Sequence, residues 1–380
     1  MEIVEINSKK EIHGWWKGKR ECTSERLLIN PYNGCEHRCF FCYAQKLWGY
    51  FALSTKENKI FVCSDFDKVI AQQLSSLQVA SCGYLSPVTD PFQPVNRRYK
   101  LSEKIIKVFV EQNLPIEFIT KGVIPEEALN LISRQKDSFG QVSILTLDER
   151  LRKYLCPGGA TTEELFENIE RLAKRKIFAV VRIDPIFPYL TDGEEDLERL
   201  VKQSASAGAK HIIASIVDIP WKIKDKFYKN LGKIDRKLPA KYVNLYNEKI
   251  DGDYNAQIPY RKKVFATLGD ICKENNLTLG LCMEYELIDG IPTGLNRRFM
   301  TSENCEGMNI PIYIRKKDYF EPAAKCNGAC LTCKEAKCGI QELAMFEKRD
   351  DPKAKKNFKL SDYRRWSKLI SQSQRTTLWK

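Results

Sequence analysis

Short apolar runs alternate with amphipathic stretches along the first two thirds of the chain. The runs are LLIN (27–30), CGYLSPV (82–88), IEFIT (116–120), VSILTL (142–147), FAVVRID (178–184) and HIIASIVDI (211–219). Unbroken apolar runs of this length suit strands covered on both faces. Between them lie SEKIIKVFVEQN (102–113), PEEALNLISRQ (125–135), TEELFENIERLAKR (162–175) and EEDLERLVKQSASAG (194–208), which read as helices. In the third, Leu165, Ile169 and Leu172 recur at helical spacing behind Thr162, the expected N-cap. The alternation predicts an α/β fold, an open and partial parallel β/α barrel of about six units over 27–245. Chemistry in such a barrel sits on the loops that follow the C-terminal ends of the strands.

Past residue 245 the rhythm changes. AQIPYRKKVFATLGDICKENN (256–276) reads as one more helix and LTLGLCMEYE (277–286) as one more strand, before a long irregular stretch holding Asn296, Arg297 and Arg298. The expected organisation is an N-terminal basic and aromatic arm (1–26), the barrel (27–245), an irregular metal-binding extension (246–345) and a basic tail (346–380).

Composition adds three constraints. With 380 residues, 43% hydrophobic, the chain can bury a large core. No window approaches eighteen consecutive apolar residues, and the start MEIVEINSKKEIHGWW lacks a basic n-region followed by an apolar h-region, so a cytoplasmic protein without a membrane partner is expected. The net charge of +13 favours an anionic partner, and 14 cysteines without an export signal point to metal or catalytic chemistry rather than disulfides.

Cysteine spacing sharpens that reading. Cys22, Cys63, Cys82, Cys156, Cys272, Cys282 and Cys305 are scattered, whereas Cys35, Cys39, Cys42 and then Cys326, Cys330, Cys333, Cys338 are grouped. The first group, NPYNGCEHRCFFCYA, is a C-x3-C-x2-C pattern directly after the first strand. Three thiolates can hold three irons of a cubane and leave the fourth iron open. Zinc normally takes four protein ligands; His37 would have to be the fourth, and its alternative role is contact with solvent or with groups around the ligands.

This segment resembles the radical S-adenosylmethionine (radical SAM) superfamily, and its flanks resemble the spore photoproduct lyase and DNA repair photolyase-like branch. The likeness continues through SPVTDPFQP (86–94), EFITKG (117–122), SILTLDE (143–149), CPGGA (156–160) and DPIFP (184–188). It implies a 4Fe–4S cluster on Cys35, Cys39 and Cys42 whose open iron chelates S-adenosylmethionine. It further implies reductive cleavage to a 5′-deoxyadenosyl radical that abstracts hydrogen from a substrate, with ferredoxin or flavodoxin as electron donor. Tyr43 would meet the adenine, and Thr89, Asp90, Lys121 and Thr146 would surround the cofactor; the plain alternative for each is a solvated loop side chain. One departure stands out: the lyase carries a cysteine immediately before its Thr-Ser-Asp, where this chain has Pro87. Cys82, roughly 16 Å away along a strand, reads as a core thiol, so true photoproduct lyase activity is not expected. Arg182 and Asp184 are polar residues in an apolar run and either hold a polar substrate or pair with each other.

The second group, C-x3-C-x2-C-x4-C, is expected to bind either an auxiliary 4Fe–4S cluster or a structural zinc, with Cys305 as a spare ligand. The tail carries eleven Lys/Arg against four acids, interleaved with Phe358, Tyr363, Trp366 and Trp379. It and the arm residues Lys9, Lys10, Trp15, Trp16, Lys17, Lys19 and Arg20 form either a nucleic-acid-binding surface or a solvated one. The leading expectation is radical modification or repair of nucleic acid, lyase- or transferase-like. The alternatives are radical modification of a peptide or protein, and a non-enzymatic zinc-stabilised nucleic-acid-binding protein.

Overall fold

The computed structural model describes residues 1–7, 10–13, 25–47, 54, 56–347 and 358–377, with 371–377 described by backbone alone. Lys9, Trp15, Trp16, Lys17, Lys19, Arg20 and Trp379 lie outside the described residues.

Seven parallel strands form the central sheet: β1 (Leu27–Ile29), β2 (Gly83–Leu85), β3 (Ile116–Thr120), β4 (Phe139–Ser143), β5 (Phe178–Ile186), β6 (His211–Ile216) and β7 (Thr278–Leu281). Their order in space is their order in sequence, so each strand pairs with the next after a crossover on the outer face. The sheet does not close. It also runs past the expected boundary at 245, because β7 pairs with β6 through His211–Thr278 and Ile212–Leu279. The barrel therefore has seven strands, and part of the expected extension belongs to it.

Both open edges are covered. The Leu28 N–H donates to the His13 carbonyl at 2.8 Å, and His13 also bridges to Lys359. At β7, Asn296 takes the Leu281 N–H and returns a bond to its carbonyl, while Thr301 does the same for Leu279. The His13 and Thr301 backbone, with the Asn296 amide and the Thr301 hydroxyl, thus replace the neighbouring strand that an edge would otherwise recruit.

The helices follow their periodicity. In α1 (Thr162–Lys174), Leu165, Ile169 and Leu172 are buried against the sheet. Its N-cap is Thr161, one residue before the expected Thr162: the Thr161 hydroxyl accepts the Glu164 N–H and the Glu164 carboxylate accepts the Thr161 N–H. The reciprocal pair needs Glu three residues after the cap, a condition Thr161 meets.

The barrel interior is polar. Glu117 on β3 accepts from Gln141 on β4 at 2.6 Å, and Gln141 accepts from Arg182 on β5 at 2.8 Å. At its other end Glu117 lies 3.1 Å from Arg26, a fully buried guanidinium that also meets Glu306 at 2.8 Å and Glu25 at 3.5 Å.

The C-terminal segment is not a free basic tail. Helix α2 (Leu360–Thr377) docks on the body with Phe358, Tyr363 and Trp366 essentially fully buried. The Tyr363 hydroxyl donates to the Glu25 carbonyl, and Ser367 accepts the Gln78 N–H at 2.8 Å. These three aromatic rings are core and cannot stack on bases; Lys359, Arg364 and Lys368 remain exposed.

Candidate active site

β1 delivers the chain to the first cysteine loop. Tyr32–Asn33 pairs back with Lys59–Cys63, and Gly34 turns at φ +94°, where a Cβ would come within 2.0 Å of the Ser54 hydroxyl. The turn therefore requires glycine. Between Cys39 and Cys42, Phe40 and Phe41 are buried in an aromatic cluster. Phe40 lies 5.4 Å from Phe227 between ring centres, and Phe41 lies 5.1 Å from Phe187 at the end of β5. The apolar pair anchors the loop, and the cysteines on either side face a shared cavity of about 550 Å³. Cys35, Cys39, Cys42, Val88 and Thr89 line it.

Asp90, at the loop after β2, ties this region together. One carboxylate oxygen accepts from the Thr120 hydroxyl (2.8 Å) and the Phe92 N–H (2.9 Å); the other accepts the Lys121 N–H (2.6 Å) and lies 3.3 Å from His37 Nδ1. Asp90 is thus buried among protein partners and organises the loops that follow β2 and β3. His37 is buried against it, away from solvent. The Thr146 hydroxyl accepts the Asp148 N–H at 3.1 Å and caps its own loop. Tyr43 donates to the Pro87 carbonyl at 2.8 Å, which spans the loops after β1 and β2.

Two further groups stand at this corner, Thr89 on the cavity lining and Lys121 close to Cys39. The Thr89 hydroxyl is buried without a hydrogen-bond partner. Burial alone would lower the pKa of Lys121, but Cys39, Cys156, Asp184 and Asp90 outweigh it and hold the ammonium above its ordinary value. Three thiols, an orphaned hydroxyl and a half-buried cation fit an iron–sulfur cubane carrying a ligand with carboxylate and hydroxyl groups.

Arg182 and Asp184 form an ion pair, with Arg182 Nε 3.0 Å from the carboxylate. Arg182 also reaches Gln141 and, at 3.0 Å, the Cys282 sulfur; Asp184 accepts from Ser215. Burial alone would raise the Asp184 pKa, but Arg182 and Ser215 hold it below its ordinary value. Arg182 orients Asp184, whose side chain keeps 21% exposure beside Tyr43 and Lys121.

Sequence reasoning missed Cys156 and Cys282. Cys282 directly follows β7, and a strand-end cysteine was the available signal. Cys156 opens CPGGA and lies 3.2 Å from Cys39, sulfur to sulfur. Cys82, in contrast, is a fully buried core thiol, as expected.

In the second group, Cys326 and Cys338 share a hydrogen bond that lowers the Cys326 pKa to about 6, and Cys330 lies beside Glu25 and Arg26. The Met345 and Phe346 N–H groups donate to the Cys330 and Cys333 carbonyls at 3.0 and 3.1 Å. Cys305 is buried with its carbonyl 3.0 Å from His211. Among the described residues, no three His, Cys, Asp or Glu side chains close around a single-ion position.

Residues 29–202 match the radical SAM superfamily. A radical SAM Nα-GlyT isomerase of Pseudomonas phage M6 is 25% identical over 382 residues, covering 93% of this chain and 78% of the phage protein. An uncharacterized Mycobacterium tuberculosis protein is 26% identical over 229 residues, covering 58% and 67%. Among solved structures, a spore photoproduct lyase variant with bound AdoMet and dinucleoside spore photoproduct superposes with a TM-score of 0.57 at 14% identity, over 73% of this chain and 81% of that one. No described helix is long and apolar enough to cross a membrane.

Proposed function

We propose that this chain is a radical SAM enzyme that modifies or repairs nucleic acid by radical chemistry, a reading supported by the radical SAM match over residues 29–202. The observation that carries the proposal is the cavity shared by Cys35, Cys39 and Cys42 at the C-terminal end of β1. When bound there, a 4Fe–4S cluster and S-adenosylmethionine supply reductive cleavage and hydrogen abstraction from an unactivated C–H bond. The three cysteines hold the cluster, Lys121 balances negative charge beside it, and the Thr89 hydroxyl offers an unused hydrogen bond. Tyr43 ties the loop after β1 to the loop after β2 through the Pro87 carbonyl, while the buried Phe40 and Phe41 seal the loop against water. Asp184, kept ionised by Arg182 and Ser215, presents a fixed acceptor to the substrate. A low-potential carrier such as ferredoxin or flavodoxin supplies the electron, and catalysis takes place in the cytoplasm.

Charge supports the choice of substrate. Arg38, Lys153, Lys226 and Lys233 are exposed along the cavity wall. Residues 222–241 carry eight Lys/Arg against two acids. Trp221 (59% exposed) and Tyr189 (45%) stand beside this strip with Lys222 and Lys241 over their rings. Phosphate neutralisation with aromatic stacking is the pattern of single-strand binding, and it lies on this face rather than on the buried rings of the tail. The phage relative is an isomerase by name, which is compatible with rearrangement of a substrate rather than bond scission alone. The radical SAM match replaces the non-enzymatic alternative.

The test is binding of a single-stranded DNA oligonucleotide, followed by fluorescence anisotropy at several salt concentrations. Four phosphate contacts give a log–log slope near about −3, so tripling the salt weakens binding about 20-fold. Lys226→Glu with Lys233→Glu should halve that slope. A flat salt response, unchanged in the double variant, would move the substrate to the peptide class.

The proposal extends to the second cysteine group. Cys326, Cys330, Cys333 and Cys338 hold an auxiliary 4Fe–4S cluster, which also staples a loop-rich segment with few regular elements. Its donors are all thiols, and hydrogen bonds to the Cys330 and Cys333 carbonyls fix the backbone around it.

A further inference from the structure

Cys156 ends the helix Glu149–Leu155, and its position is fixed from several sides. Its N–H donates to the Arg152 carbonyl at 2.8 Å, and the Arg152 side chain donates to the carbonyls of Cys156 and Gly159 at 3.1 and 3.2 Å. The following turn is seated on the first cysteine loop by its backbone: the Gly158 N–H donates to the His37 carbonyl at 3.0 Å, and the Ala160 N–H to that of Lys121 at 2.8 Å. The seating is close. A Cβ on Gly158 would come within 2.2 Å of the Glu36 carbonyl. The result is a buried sulfur 3.2 Å from the Cys39 sulfur, within reach of an S–H···S hydrogen bond.

On the reading that Cys39 is a cluster ligand, we propose that Cys156 is a positioning residue whose thiol donates a hydrogen bond to the Cys39 sulfur and raises the reduction potential of the cluster. A ligating Cys39 is a thiolate and only accepts, whereas Cys156 stands outside the C-x3-C-x2-C set, so a hydrogen bond across this 3.2 Å contact has Cys156 as its donor. A hydrogen bond to a ligand sulfur favours the more negative, reduced state. The turn carrying Cys156 also brings Lys121 and His37 to the same corner, so the donor is held by the elements that organise the site.

Two measurements test this. In anaerobically reconstituted full-length protein, EPR-monitored redox titration follows the signal that S-adenosylmethionine perturbs. Cys156→Ala should shift its midpoint to a more negative potential. Cys156→Ser, whose hydroxyl still donates, should stay nearer the wild type, and iron content should be the same in all three proteins. A Cys156→Ala midpoint equal to that of the wild type overturns the proposal. So does a loss of iron in both variants, which would make Cys156 a ligand. In cluster-free protein, diamide takes two electrons and two protons from the two thiols, is itself reduced to a hydrazine, and leaves an S–S bond. Peptide mapping should recover the Cys39–Cys156 link, and its absence from folded protein overturns the contact. Formation of the link in a protein that never takes up iron would instead remove the cluster reading, and this proposal with it.

Discussion

Cys39→Ala is expected to abolish S-adenosylmethionine cleavage and to lower the iron of the anaerobically reconstituted protein from about eight to about four per chain. Cys39 is the middle residue of the trio and shares its cavity with Cys35 and Cys42. With two thiolates left, the cubane loses a corner that no residue of the C-x3-C-x2-C pattern can replace. Cys156 stands 3.2 Å away, so the double replacement of Cys39 and Cys156 by Ala closes off a stand-in ligand. Cys272→Ala is the control: that thiol is buried on the helix Ile258–Glu274 and belongs to neither group. It should leave iron and 5′-deoxyadenosine formation unchanged. Iron and sulfide assays with chromatography of 5′-deoxyadenosine after dithionite reduction give the answer, and retained cleavage in the double variant would refute the ligand assignment.

The second large effect concerns stability. Arg26→Met is expected to destabilise the fold by about 3–5 kcal/mol, the usual consequence of removing one partner from a buried ionic group. Arg26 is completely buried, and its guanidinium faces Glu306, Glu117 and Glu25. Burial already raises the Glu117 and Glu25 pKa values, and Arg26 counteracts it. Without the cation those carboxyls rise further. A carboxyl with a folded pKa above its unfolded value stabilises the fold while protonated and loses that contribution as pH increases. The deficit of the variant should therefore be larger at pH 8 than at pH 5. Urea denaturation of both proteins at the two pH values measures it, and a deficit independent of pH would show that the loss is one of packing alone.

The expected strands emerged because buried parallel strands leave an unmistakable trace: IEFIT is β3 to the residue. VSILTL was displaced, since the strand begins at Phe139 and its polar Gln141 faces a hydrogen-bonded interior rather than breaking the strand. The end of the barrel was misplaced for a different reason. Lys224–Ile234 and Leu238–Leu245 intervene between β6 and β7, and no local pattern reveals that a strand 62 residues further on returns to the same sheet. The thiols of the first site were legible because three cysteines fall within eight residues. The protein partners of Asp90 were not legible, because a strand-end carboxylate looks the same in sequence whatever the fold brings to it. Phe358, Tyr363 and Trp366 resembled a stacking surface until helix α2 turned them inward. Cys156 was hidden by distance in sequence: it approaches Cys39 across 117 residues, through a contact only the fold creates.

The most direct test of the whole account is the EPR spectrum of the anaerobic, dithionite-reduced protein before and after S-adenosylmethionine is added. A reduced 4Fe–4S signal that changes on addition of the cofactor, and that disappears in the Cys39, Cys156 double variant, is the predicted result. A protein that holds a single tetrahedral metal at Cys35, Cys39 and Cys42, with no such signal and no response to the cofactor, would contradict it.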